Sequence, residues 1–118
     1  MKILKFGGSS VSTSERIKSI IKIVEPYQKD EPIAIVFSAF GGITDKLINL
    51  STMALAGDLS YKSELEIIEK RHIEAVRELI GVQRQSSILA QVKFLINELE
   101  YSFMINSLKL LYIILEYL

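Results

Sequence analysis

Two glycine pairs, Gly7-Gly8 and Gly41-Gly42, each stand beyond a short apolar run and ahead of a helical pattern. No other feature narrows the possible folds as much. The first run, Ile3 to Phe6, stops at its glycine pair and suits a brief strand. The second, Ile33 to Phe37, is apolar throughout. A strand without polar alternation is expected to be buried on both faces, as in a parallel sheet covered by helices. Between the runs, Ile17, Ile20, Ile21 and Val24 recur at helical spacing, and Pro26 is placed to end the helix. Ser12-Thr13-Ser14-Glu15 reads as a capping box in which Ser12 and Glu15 satisfy each other's backbone donors. Strand, helix and strand within about 35 residues make a βαβ unit with an expected right-handed crossover.

The character of the chain then changes. A helix is predicted from near Thr44 to Gly57, and residues 1–57 form the α/β part that carries both glycine loops. Residues 58–118 read as a helical segment. Leu65, Ile68, Ala75, Val76 and Leu79 mark one amphipathic helix ending at Gly81, and Ile88, Val92, Leu95, Leu99 and Phe103 mark another. From Phe103 to Leu118 only Lys109 and Glu116 carry charge, and Leu110 to Leu115 is apolar throughout. A membrane span needs ~20 mostly apolar residues, so this stretch instead reads as a helix that a larger protein would bury. Tyr112 and Tyr117 are taken as packing residues.

Composition excludes several functions. Lys plus Arg and Asp plus Glu both number 14, so no charge excess attracts nucleic acid or an anionic membrane. Cysteine is absent and there is one histidine, which removes disulfides, thiolate metal sites and a His-based zinc site. Lys5 and Gly7-Gly8 interrupt any leader-like apolar run, so a cytoplasmic protein is expected. His72 falls on the apolar face of its helix and reads as a core or boundary histidine. The alternating charges from Glu64 to Glu78 read as a solvated helix face.

The chemistry concentrates at the two loops. In Lys5-Phe6-Gly7-Gly8-Ser9-Ser10, glycines at a strand end let backbone N–H groups approach an anion, and the following helix adds its dipole. Lys5 is placed to reach a phosphate, although its strand parity with Ile3 argues against a plainly solvent-facing side chain. An ordinary strand-to-helix turn with a surface lysine is the competing reading, and spacing alone leaves both open. Ser38-Ala39-Phe40-Gly41-Gly42-Ile43-Thr44-Asp45 repeats the design, with helix capping by Thr44 or Asp45 as a compatible role. Both loops fall at the carboxyl ends of parallel strands, where open α/β sheets bind ligands. A nucleoside triphosphate and a carboxylate substrate would suit such a pair.

Lys5-Phe6-Gly7-Gly8-Ser9-Ser10-Val11 resembles the opening signature of aspartate kinases, and Val36 to Leu47 resembles the second motif of that family. The stretch Glu64 to Glu100 is similar to the helical insert of the family, most closely in the kinase half of fused aspartate kinase–homoserine dehydrogenases. The similarity covers residues 1 to about 100 and leaves out Tyr101 to Leu118. It implies the N-terminal βαβ part of an amino-acid-kinase α/β sandwich followed by a helical segment, the whole chain being an incomplete catalytic domain. It further implies ATP-dependent phosphorylation of L-aspartate to 4-phospho-L-aspartate, with Mg²⁺, in a full-length homo-oligomer. By position, Lys5 would act as the catalytic cation. Gly7, Gly8 and Ser9 would join it in binding the phosphate, and Ser38, Gly41, Gly42 and Thr44 would bind the substrate. Family members continue into a Gly-Glu substrate motif, a nucleotide-binding half and regulatory domains, so the isolated chain is expected to be inactive. A glutamate or uridylate kinase is the rival within the fold. A catalytically dead interaction fragment is the rival outside it.

Overall fold

In a computed structural model, the backbone is described for residues 1–117 and the side chains for residues 1–105. The chain divides into two compact units, Met1–Thr44 and Asp45–Leu118. The expected order of a βαβ start followed by helices is observed.

In the first unit, β1 (Lys2–Phe6) and β2 (Ile33–Phe37) pair in parallel, with Leu4 opposite Ile35 and Phe6 opposite Phe37. The ladder is extended at both ends, by Lys2 N–H to the Pro32 carbonyl and by Ser38 N–H to the Phe6 carbonyl. Helix α1 (Ser14–Val24) buries Ile20 and Val24, which with Val11 form a small core. Leu4, Phe6, Ile33, Ile35, Ile17 and Phe40 pack against it. Alternate strand residues therefore meet α1, as the period of two requires.

The other sheet face corrects one expectation. Ile3 is 66% exposed and Val36 48%. The apolar run of β2 is thus not buried on both faces, because within this unit only α1 covers the sheet. Phe37, at the end of β2 and on the α1 face by strand parity, is 56% exposed and stacks on Phe6 with ring centroids 5.8 Å apart.

The expected capping box is also not formed. Thr13 is the N-cap, and its hydroxyl accepts from Arg16 N–H at 3.3 Å. Ser12 instead donates to the Ser9 carbonyl at 2.9 Å, and Glu15 pairs with Lys18 at 3.1 Å. Moving the cap by one residue puts Arg16, not a glutamate, at the third helical position, so no reciprocal bond is available. After α1, Pro26 opens a 3₁₀ turn over Glu25–Lys29, where its missing N–H costs nothing. Glu31 then fastens the sheet edge, binding the Met1 amino group and Lys2 Nζ at 3.0 Å each.

Helix α2 (Ile43–Leu55) begins at the end of the first unit and continues into the second. It closes in a Schellman motif: Asp58 N–H donates to the Met53 carbonyl, Gly57 N–H to that of Ala54, and Gly57 takes φ +74°. Asp58 then accepts from Ser60 N–H at 2.9 Å and Ser60 Oγ at 2.6 Å, organising the start of α3 (Tyr61–Leu79). These two bonds hold the Asp58 carboxyl below its ordinary range, the hydroxyl contributing most.

Helix α3 buries Tyr61, Leu65, Ile68 and Val76, and α4 (Val82–Tyr117) returns antiparallel to it. Tyr61 meets Phe103 edge-on at 5.7 Å, Glu69 pairs with Lys93 at 2.6 Å, and Gln85 reaches the Arg77 and Ile80 carbonyls. The seam of α4 differs from the expected one at one position. Ile96 is buried while Leu95 is 64% exposed. Neighbouring apolar residues leave the helical phase ambiguous, and packing against α3 selects Val92, Ile96, Leu99 and Phe103. His72 is half-buried, with Nδ1 2.8 Å from the Ile68 carbonyl, as its boundary position suggested. Of the apolar terminal stretch, Phe103 is buried; the side chains from Asn106 onward, with Tyr112 and Tyr117, lie outside those described. Among the described residues, no helix is long and apolar enough to cross a membrane.

Candidate functional site

Each strand ends in a β-turn. Ser10 N–H donates to the Gly7 carbonyl at 3.0 Å, and Ile43 N–H donates to the Phe40 carbonyl at 3.0 Å. Gly42 occupies the third position of the second turn at φ +79°, the left-handed value that a type II turn demands there. The parallel register sets these turns near one another, since the partners Phe6 and Phe37 stand immediately before the first turn and three residues before the second.

The loops also touch. A Cβ placed on Gly41 would lie 3.1 Å from the Gly8 carbonyl oxygen and 3.0 Å from Ser12 Cβ. A Cβ on Gly8 would lie 3.5 Å from Ser38 Oγ and 3.8 Å from the Gly41 Cα. Gly8, Ser38 and Gly41 are thus brought together directly, and a side chain at position 41 would have to push its neighbours aside by a few tenths of an ångström. Gly7 differs: a Cβ there would meet nothing within 4 Å, so its open side is free for a ligand.

Lys5, Ser9, Ser38, Gly42 and Thr44 are all exposed. Lys5 shares the open sheet face with Ile3, so the strand parity that argued against a solvent-facing lysine does not apply once that face is uncovered. Among the described residues, no carboxylate pairs with Lys5. Thr44 lies in the first turn of α2 beside Asp45, an acid on the favourable end of the helix dipole. Two participants were not foreseen. The Ser9 carbonyl accepts from Ser12 Oγ at 2.9 Å and from Arg16 Nη1 at 2.7 Å. A sequence signal did exist: an arginine in the first turn of a helix opposes the macrodipole and needs a specific partner.

Phosphate oxygens suit this arrangement, with an open Gly7, a nearby helix N-terminus and an unpaired lysine on the preceding strand. No group of three or more His, Cys, Asp or Glu side chains able to hold a metal occurs among the described residues. The Mg²⁺ implied by the family resemblance needs only one or two carboxylates beside the substrate phosphates, and no step is assigned to it.

Paired β-turns at the carboxyl ends of parallel strands, each leading into a helix, define the ligand-binding end of an open α/β protein. The chain belongs to the amino acid kinase family, whose model matches residues 1–109. The match runs past Glu100, where the motif resemblance stops. Aspartokinase 1, chloroplastic, of Arabidopsis thaliana is 38% identical over 80 residues, covering 65% of this chain and 14% of that protein. The bifunctional aspartokinase/homoserine dehydrogenase 1, chloroplastic, of the same plant is 33% identical over 96 residues, covering 81% of this chain and 10% of its own length. The aspartokinase of Geobacillus stearothermophilus is 42% identical over 50 residues, covering 42% of this chain and 12% of that enzyme. The chain thus spans a small fraction of the length of these relatives.

Proposed function

We propose that this chain supplies the opening part of an ATP-dependent kinase site that converts L-aspartate to 4-phospho-L-aspartate. In this reading Lys5 faces the transferring phosphoryl group, Gly7, Gly8 and Ser9 lie along it, and Ser38, Gly41, Gly42 and Thr44 shape the aspartate end. A carboxylate oxygen of aspartate forms the new bond to the γ-phosphorus. The bond from that phosphorus to the bridging oxygen breaks, and ADP leaves with the electron pair. Aspartate, with a reference pKa of about 3.9, is already ionised at neutral pH, so no general base is needed. Catalysis consists of aligning two anions and offsetting phosphoryl charge.

The observation that carries this proposal is the contact between the two loops, with the Gly8 carbonyl 3.1 Å from where a Gly41 Cβ would stand. Two anion-compatible turns in contact can hold donor and acceptor for in-line transfer, whereas separated turns could not. Lys5 is the only cation within segments 5–10 and 38–45. One lysine does not offset a triphosphate and a carboxylate together, so we expect no turnover from the isolated chain.

The test is steady-state kinetics with a hydroxamate trap for the acyl phosphate, in an intact family member carrying both motifs. Replacement at the position matching Lys5 by alanine is expected to lower kcat about 10²–10³-fold with little change in the aspartate KM. Replacement at the position matching Thr44 by valine should raise the aspartate KM more than it lowers kcat. If both changed only the KM for ATP, the assigned loop roles would be wrong.

A further inference from the structure

The Ser9 carbonyl is the most heavily bonded acceptor of the first loop, taking Arg16 Nη1 at 2.7 Å and Ser12 Oγ at 2.9 Å. The peptide that carries this carbonyl also carries the Ser10 N–H, which donates to the Gly7 carbonyl at 3.0 Å. The peptide of that second carbonyl in turn carries the Gly8 N–H, which has no acceptor among the described residues. Consecutive hydrogen bonds polarise one another, since a peptide pulled on at its oxygen donates better at its nitrogen. A cationic donor at the head of the series makes its first bond the strong one.

We infer that Arg16 is a positioning residue for the first loop: acting through the Ser9 and Ser10 peptides, it fixes the turn and sharpens the Gly8 N–H as a phosphate donor. Ser12 assists, because the side chain that binds Ser9 also forms the wall against which Gly41 packs, with its Cβ 3.0 Å from the position of a Gly41 Cβ. Arg16 reaches the site only through backbone, which separates its role from that of Lys5. The inference rests on the proposal that this loop binds phosphate.

Hydrogen exchange of the Gly7–Val11 segment, read by mass spectrometry on the 118-residue chain, tests it with inorganic triphosphate as probe. Without ligand, Arg16→Gln is expected to speed exchange of this segment about tenfold while residues 17–24 of α1 stay as protected as in the parent chain. With triphosphate, the half-protecting concentration should rise about tenfold in Arg16→Gln and less in Arg16→Lys, which keeps the charge. Ser12→Ala removes the second donor and serves where Arg16→Gln loosens α1; it should raise the half-protecting concentration as well. Unchanged exchange and unchanged triphosphate protection in Arg16→Gln and Ser12→Ala would overturn the inference alone. No triphosphate protection even in the parent chain would overturn the phosphate role of the loop and the inference together.

Discussion

Gly7 and Gly41 belong to equivalent loops but are glycine for different physical reasons. A side chain at Gly41 meets the Gly8 backbone and Ser12 at close range, whereas a side chain at Gly7 meets nothing within 4 Å. Gly41→Ala is therefore expected to destabilise the first unit by about 1–3 kcal/mol through overpacking. Gly7→Ala should stay within about 0.5 kcal/mol of the parent chain and act on phosphate binding instead. Urea unfolding of the two variants separates the cases. The sequence made both pairs visible as punctuation but not this asymmetry, which depends on which loop face the neighbouring strand brings into contact. Arg16 was missed for a related reason, because its partner is a backbone carbonyl that carries no identity in the sequence. Glu31 shows the same limit. Its carboxyl is held below the ordinary range, first by the Met1 amino group and then by Lys2. A lowered folded pKa gives stability that is present above the unfolded value of about 4.3 and lost as pH falls through the folded value. The melting-temperature difference between the parent chain and Glu31→Gln should accordingly be present at pH 7 and shrink below about pH 4.

At the scale of elements, periodicity served best where one phase was possible. Helix α3 buries Leu65, Ile68 and Val76, as its spacing predicts. In α4, Leu95 and Ile96 are adjacent and both apolar, and only the docking of α3 decides between them. Phe103→Ala should cost about 3–5 kcal/mol, because it empties a buried site and removes the edge-on contact with Tyr61. Leu95→Ala should change stability by no more than about 0.5 kcal/mol. Helical unfolding followed by circular dichroism in urea measures both, and equal losses would return Leu95 to the seam. Strand β2 gave the opposite lesson. An unbroken apolar run states that both faces want cover, and it does not state that the cover comes from the same 118 residues.

For the whole molecule, that uncovered surface sets the physical behaviour. β1 and β2 form a sheet of two strands among the described residues, so each has an unpaired edge, and Ile3, Val36 and Phe37 remain substantially exposed. Such edges and apolar patches template association. The isolated chain is expected to self-associate, and Ile3→Thr combined with Val36→Thr should lessen this in sedimentation at several concentrations. A concentration-independent monomer of the parent chain would show that the open face needs no cover. Ligand-dependent hydrogen exchange on this chain reads out whether the two loops hold different ligands. Millimolar ATP is predicted to slow exchange in Gly7–Val11 and millimolar L-aspartate to slow it in Ser38–Asp45, each leaving the α3–α4 pair unchanged. Protection of neither loop, or aspartate protecting the first loop in place of the second, would contradict the account.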